Sequence, residues 1–207
     1  MNLSTLSIDT MLDALSATLN NGYLKVYGHA SGGASTDGAP PADADTALGT
    51  QTLLVTHRFA AGAFGAAALR QIVANAIASV AVAATGTARF IRLLKADGAT
   101  VVADLTLGAC TMTVAAPGAA KGAVVVPVNA LAAPVYQGDR FLVGGNKVLT
   151  VGADANAGAV SVTVAALADA IAAGETATYD MVWNSAQLQL NADNAISALT
   201  ISLPKGL

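Results

Sequence analysis

Residues 122–132, Gly-Ala-Val-Val-Val-Pro-Val-Asn-Ala-Leu-Ala, return 36 positions later as Gly-Ala-Val-Ser-Val-Thr-Val-Ala-Ala-Leu-Ala at residues 158–168. Both copies alternate valine with small or polar residues, a period of two that predicts a strand with one buried face. The register continues, because a Gly-acid pair follows each copy at residues 138–139 and 174–175. One copy has too little apolar surface to fold alone, so we expect the two copies to close on each other as a small β-barrel or sandwich.

The sequence on both sides of the repeats predicts a second set of strands. The strongest hairpin signal is Ala96-Asp97-Gly98, which joins predicted strands at 88–95 and 100–107. Arg89 and Lys95 are expected on the outward face of the first of these strands together with Ile91 and Leu93, so that this face is only half apolar. Further strand patterns lie at residues 23–27, 52–59, 72–84 (with a break near Asn75), 181–184, 187–190 and 196–203.

These patterns predict a chain that is mainly all-β and has two domains. The body is expected to be a jelly-roll-like or Greek-key β-sandwich formed by residues 1–108 plus 181–207. The tandem-repeat module, residues 109–180, would be inserted into it. Such an insertion is tolerated because chain ends that lie close together add little closure cost.

Two segments of the body depart from the strand pattern. Residues 7–21 predict a short N-terminal helix, with Ser7 as its cap, Asp9 near its positive end and Gly22 as its stop. Residues 28–50 contain Gly, Ala, Ser, Asp and Pro without periodicity, and they are long for a connection inside a compact domain. We therefore interpret residues 28–50 as an arm or a surface excursion.

The composition argues against several classes of partner. A net charge of −3 and a pI of about 5.1 do not favour nucleic acid or an anionic membrane surface. Charged residues make up only 11% of the chain and 48 residues are alanine, so few long charged side chains keep the surface solvated. This is typical of a protein covered by neighbours in an assembly. High-GC coding would raise alanine and glycine in the same way, and composition does not separate the two causes.

No segment predicts a membrane span, a secretory signal or a disulfide. The most apolar long segment, residues 71–84, has 14 residues and is too short to cross a bilayer. The N-terminus has no basic region and carries Asp9 and Asp13. The single cysteine, Cys110, excludes an internal disulfide. We therefore expect the protein to be made and folded in a cytoplasm.

The histidines and the cysteine do not form a recognisable catalytic or metal-binding motif. His29 and His57 have neither metal-ligand spacing nor partners for a catalytic triad. We interpret them as a surface histidine and a strand histidine. Cys110 has no nearby histidine or basic residue to lower its pKa, so we interpret it as a small buried or boundary residue.

Several other segments have a functional and a structural interpretation. Asp43-Ala44-Asp45, with Asp37 nearby, could bind a hard cation, but a solvated acidic loop is the simpler interpretation. Residues 62–65 and 144–147 contain glycine pairs without phosphate-loop spacing, and the second segment predicts a tight hairpin. The aromatic residues Tyr23, Tyr27, Tyr136 and Trp183 are too scattered for a nucleic-acid stacking platform. We therefore predict no catalytic, cofactor-binding or metal-binding residue.

Residues 43–107 resemble a group of small structural proteins encoded in the morphogenesis clusters of tailed bacteriophages. The matching segments are Ala42–Leu48, Leu53–Leu54, Phe64–Ala67, Ala74–Ile77 and Ala84–Val102, together with Met11–Leu15 of the predicted helix. The repeat module is similar to small β modules of phage head and tail proteins, at Ala166–Leu167 and Ile171–Glu175.

This resemblance implies a non-enzymatic virion component without a cofactor. We expect a capsid decoration or cement subunit that forms homo-oligomers and binds the major capsid protein or other virion subunits. The arm at 28–50 and the N-terminal helix would then reach neighbouring subunits. The alternatives are a tail or fibre component that binds a host receptor, a glycan for example, and a hydrolase. A receptor-binding component would expose aromatic side chains on the repeat module, whereas a hydrolase would need a polar cluster.

Overall fold

A computed structural model of the chain describes residues 3–144, 147–183, 186–196 and 199–202. Within these ranges the chain is mainly β and sandwich-like, with one short N-terminal helix, as the sequence predicts. In chain order the elements are α1 Thr5–Leu19, β1 Tyr23–Ala30, a 3-10 turn Ser35–Gly38, β2 Thr52–Arg58, β3 Gln71–Val73, β4 Val80–Ala81, β5 Gly86–Leu94, β6 Val101–Gly108, β7 Met112–Thr113, β8 Val125–Pro127, β9 Arg140–Val143, β10 Lys147–Thr150, β11 Ser161–Thr163, β12 Thr176–Thr178, β13 Met181–Val182, β14 Gln187–Leu188, β15 Asp193–Asn194 and β16 Thr200–Ser202.

The largest sheet forms the centre of the body and has the strand order β13-β6-β5-β1-β2, with β14 paired to β5. The predicted hairpin across Asp97 is present as β5 and β6, because the Asp97 carboxylate accepts hydrogen bonds from the backbone N–H groups of Ala99 and Thr100. Short C-terminal strands return to the body, where β15 pairs with β4 and β16 with β3. The central strand β5 is buried along its whole length.

The helix begins two residues earlier than its sequence pattern predicts. Its N-cap is Ser4, whose hydroxyl accepts a hydrogen bond from the Ser7 N–H at 3.1 Å. The prediction of Ser7 as the cap is therefore wrong. Ser7 lies in the first turn, where the N–H groups need an acceptor that precedes the helix, and its N–H donates to Ser4. At the other end the helix stops at Leu19, before the predicted stop Gly22, and Asn21, with a φ of 57°, takes the left-handed conformation.

The two repeats of the module are interleaved around a pseudo-two-fold axis. Each repeat includes the short strand that precedes its quoted copy. The first repeat therefore supplies β7, β8 and β9, and the second supplies β10, β11 and β12. Val126 pairs with Val162, and Leu142 pairs with Thr178, so residues that are 36 apart in sequence face each other. The strand pairs within the described part of the module are β7–β12, β8–β11, β9–β10 and β9–β12, and each joins one repeat to the other. Neither repeat can satisfy its backbone hydrogen bonds alone.

Buried apolar side chains form two separate cores. The body core takes residues between positions 8 and 107 and again between 186 and 199, whereas the module core takes residues between 110 and 179. The chain therefore passes from one core to the other near residues 108–110 and returns near residues 179–181.

The pseudo-symmetry predicts that matched core substitutions in the two repeats destabilise the protein equally. Val126→Ala and Val162→Ala each remove two buried methyl groups from fully buried positions. Each should lower the free energy of unfolding by about 2 kcal/mol in urea denaturation followed by circular dichroism. Val125→Ala, at a position 50% exposed, is the control and should change it by less than about 0.5 kcal/mol. A large loss for one valine and none for its counterpart would show that the repeats are not equivalent.

Candidate functional site

A buried ion pair lies where the module meets the body. Arg89 on β5 contacts Asp139, which directly precedes β9, with 2.7 Å between the arginine Nε and the carboxylate Oδ1. Both side chains are only 1% exposed. Gly138, with a φ of 87°, lets the turn before Asp139 approach the body, since an added Cβ would lie 2.8 Å from that of Ala39. The Gly-acid turn of the first repeat is thus the point of attachment.

Both members of the pair have further hydrogen-bond partners. Arg89 donates from Nη1 to the Ser35 carbonyl at 2.7 Å and from Nη2 to the Gln137 carbonyl at 2.8 Å. The second carboxylate oxygen of Asp139 accepts from the Tyr179 hydroxyl at 2.6 Å and from the Tyr136 N–H at 2.9 Å. A buried ion pair is tolerated only when the remaining donors and acceptors of both ions are satisfied. This pair meets that condition.

Two acidic groups at this contact, the Asp139 carboxyl and the Tyr179 hydroxyl, have shifted pKa values. Burial raises the pKa of the Asp139 carboxyl, and the Arg89 guanidinium and the Tyr179 hydroxyl oppose that shift. Burial, followed by the charge of Asp139, raises the pKa of Tyr179 far above its ordinary value. The Tyr179 hydroxyl therefore keeps its proton and remains a hydrogen-bond donor to Asp139.

Three arginines hold the long loop that precedes β2 against the rest of the chain. Arg89, Arg92 and Arg140 each donate to backbone carbonyls of this loop, at 2.7–3.2 Å. The acceptors are the carbonyls of Ser35 for Arg89, Thr46 for Arg92, and Pro41 and Ala42 for Arg140. Backbone carbonyls of an irregular loop need such partners when the loop is covered.

The structure bears on two expectations about this region. Residues 28–30 end β1, and residues 31–50 form a mostly exposed surface loop that is held to the body at Ser35 and to the module at Pro41 and Ala42. Arg89 does not share an outward face with Ile91 and Leu93, because those two side chains lie in the body core while the loop and the module cover Arg89. Neither contact is visible in local sequence, since the partners are 50 or more positions away.

A second ion pair supports the same face of β5. Arg92 makes a bidentate contact with Asp104 of β6. Its Nε donates to Oδ1 at 2.8 Å and its Nη2 donates to Oδ2 at 2.7 Å. The two side chains are 6% and 5% exposed. The hydrogen bond to Asp104 is the main cause that raises the pKa of Arg92. The pair links neighbouring strands, and a further Nη2 hydrogen bond of Arg92 reaches the Thr46 carbonyl of the loop.

The structure places the two histidines in different roles. His57 is fully buried on β2, and its ring nitrogens lie 3.1 Å from the Ala78 carbonyl and 2.7 Å from the Asn194 side-chain oxygen. It is the strand histidine that the sequence predicts. His29, expected at the surface, is only 8% exposed, because the module covers the end of β1 where it lies.

We call the place where the module meets the body, around Arg89 and Asp139, the junction. His29 lies in it and has an unusual environment. Its ring packs edge-on against Tyr136, with 5.4 Å between ring centroids. Its Nδ1 atom is buried without a hydrogen-bond partner. Burial, followed by the charge of Arg89, lowers the pKa of His29 below its ordinary value of 6.5, while Asp154, Asp139 and Asp37 act in the opposite direction.

The other candidate residues of the sequence lie in packed or turn positions. Cys110 is buried, its thiol lies 3.6 Å from the Ala133 carbonyl, and burial raises the pKa of that thiol. Asp43 accepts hydrogen bonds from the Asp45 N–H and the Thr46 hydroxyl and so closes a turn. Within residues 62–65, Ala63 and Phe64 belong to the body core.

The remaining predicted segments need separate mention. The tight hairpin at 144–147 joins β9 to β10, but residues 145–146 lie outside the described ranges. The predicted strand at 196–203 is represented by β16, and residues 197–198 and 203 are likewise outside the described ranges. In the part of the chain that is described, no group of three or more His, Cys, Asp or Glu side chains could hold a metal ion.

A shallow groove of about 180 Å³ lies beside the junction, between β6 and the β9–β10 hairpin. It is lined by Asp104, Thr106, Arg140, Phe141, Leu142, Val148 and Asp180. Asp104 and Arg140 already have partners, in Arg92 and the loop carbonyls. The groove therefore presents apolar side chains and strand backbone more than free charge.

The chain has no match among protein family models, curated proteins or solved structures. Of the helices that the structure describes, none has the length and apolar character needed to cross a membrane. The geometry of the junction must therefore be interpreted by itself. Its charges bind one another and fix the body, the loop and the module in one arrangement, which is the work of a structural contact.

The environment of His29 predicts that acid weakens the junction. A histidine whose pKa is lowered by folding contributes stability above about pH 6.5 that is lost as the pH falls past that value. Wild-type protein should therefore lose melting temperature between pH 7.5 and pH 5. His29→Phe keeps a ring against Tyr136 but cannot be protonated, so its melting temperature should fall less over the same range. Asp139 is present in both proteins, so the difference between them isolates His29. Equal pH dependence of the two proteins would contradict this assignment.

Proposed function

We propose that this protein is a non-enzymatic structural subunit of a bacteriophage virion, most specifically a decoration or cement subunit that binds the capsid lattice. The resemblance of residues 43–107 to small phage structural proteins motivates the proposal. The observation that carries it is the junction around Arg89 and Asp139, where buried charges are used to fix two β units and a long loop as one block. A subunit that stabilises a lattice must transmit force without changing shape.

The surface of the protein suits repeated contacts with neighbours. Charged residues are 11% of the chain. The β8–β11 strand pair with the residues beside it, 124–128 and 160–164, forms the module ribbon, and two of its valines are exposed, Val124 at 55% and Val160 at 65%. Interfaces of standard size bury about 800 Å² on each partner. Two of them would cover roughly a sixth of the 9756 Å² of accessible surface. The partners we propose are the major capsid protein or another virion subunit, and further copies of this chain in a symmetric arrangement.

The tyrosines of the module support a decoration subunit over a receptor-binding tail or fibre component. Glycan recognition by the module would use exposed aromatic rings. Tyr179 is only 5% exposed, and Tyr136 packs against His29 and the Arg89 guanidinium. Both tyrosines therefore make contacts within the junction, Tyr179 with Asp139 and Tyr136 with His29 and Arg89.

Counting the copies of this protein in purified particles tests the proposal. Quantitative mass spectrometry, with the major capsid protein as the internal standard, should give hundreds of copies per particle. A dozen copies or fewer would place the protein in the tail and contradict the decoration proposal. Complete absence from washed particles would overturn the virion assignment as a whole.

A further inference from the structure

One edge of the main sheet is open where it borders the groove. The Thr106 N–H points away from β5, because it donates to the Asp180 carboxylate at 2.8 Å. Backbone groups two residues apart on a strand point in the same direction, so the N–H and C=O of Asp104 also face the groove. Strand β13 covers this edge only at Leu107 and Gly108. In the described part of the chain, no strand pairs with Asp104 on that side.

The opposite wall of the groove is apolar. Leu142 and Val148 face each other across β9 and β10, and they are 40% and 59% exposed. The internal repeat provides a comparison within the same chain. Leu142 corresponds to Thr178 on β12. Continuing the β12–β7 register by one residue places Thr111 opposite Thr178, as Val148 lies opposite Leu142. The outer face of this sheet is thus apolar in the half that borders the groove and polar in the other half.

We propose that the groove binds an extended peptide segment of a partner protein, which adds a strand to the open edge of β6. Its main chain would bond to the N–H and C=O of Asp104. One of its apolar side chains would lie against Leu142 and Val148. The exposed carboxylate of Asp180 selects a lysine or arginine next to that apolar residue. An unpaired strand edge beside an apolar wall is the arrangement that strand addition requires.

This inference extends the proposed function and rests on it in one respect, that the segment comes from a virion subunit. The open edge is short, so a single site binds weakly. Repetition of the site over a symmetric lattice raises the overall affinity without new contacts. A weak strand contact of this kind suits a subunit that is added to a completed shell in many copies.

A short model peptide tests strand addition directly. The probe is acetyl-Thr-Val-Lys-Val-Thr-amide, titrated into the ¹⁵N-labelled full chain and followed by NMR. Saturable shifts, with a Kd of about 1 mM or tighter, are expected at the amides of Asp104, Thr106, Leu142 and Val148. The same peptide with both valine nitrogens methylated keeps its side chains but cannot pair as a strand. It should bind at least about tenfold more weakly, a loss of roughly 1.4 kcal/mol.

Two outcomes of this titration would overturn the inference. One is the absence of saturable shifts at these amides, and the other is equal binding of the methylated peptide. Val148→Asp should abolish the shifts, whereas Val124→Asp, a matched control at an exposed valine of the module ribbon, should leave them unchanged. Retention of the shifts in the Val148→Asp variant would also overturn it.

Particle binding separates this inference from the proposed function. If both hold, Val148→Asp lowers the number of copies per particle and Val124→Asp does not. Normal occupancy by the Val148→Asp variant would overturn the virion source of the segment and leave the decoration role standing. A chain that binds the peptide but is missing from particles would refute the decoration role and leave the groove as a peptide site.

Discussion

The buried contact between Arg89 and Asp139 is the interaction on which the arrangement of the whole molecule depends. It joins the central strand of the body to a turn of the module, and its spare donors reach the loop between them. The body core and the module core are separate, so apolar packing alone does not fix their relative position. Removing one member of a buried pair leaves the other charge unpaired in a medium of low polarity. This free-energy penalty is why the contact fixes the position of the module on the body.

The duplicated module shows how one turn can serve two purposes. Asp139 and Glu175 occupy matching positions of the two repeats, but Asp139 is buried against the body whereas Glu175 pairs with Lys147 of its own module. The hydrogen bond from Lys147 lowers the pKa of Glu175, and that pair is 26% exposed. A pair that remains in contact with water contributes little to stability. The same Gly-acid turn is therefore an attachment point in one repeat and a surface turn in the other.

Local patterns in the sequence predict most of the strands. The features that these patterns miss depend on long-range contacts. The β5–β6 hairpin and the strand character of the repeats follow from alternation and turn residues at Asp97 and in residues 122–179. The short helix follows from the helical spacing of the apolar residues between positions 8 and 19. The burial of Arg89 and His29 and the position of the loop at 28–50 do not, because each depends on contacts with the module. The groove likewise exists only once β6 and the β9–β10 hairpin lie side by side.

A double-mutant cycle on Arg89→Met and Asp139→Leu tests the central claim most directly, with the free energy of unfolding as the readout. Each single substitution should cost about 3–5 kcal/mol, because it leaves an unpaired buried charge. The double variant should cost clearly less than the sum of the two, since it removes both charges together. The matching cycle on Lys147 and Glu175 should show far weaker coupling. Additive costs for Arg89 and Asp139, or single costs as small as those of surface substitutions, would contradict the account.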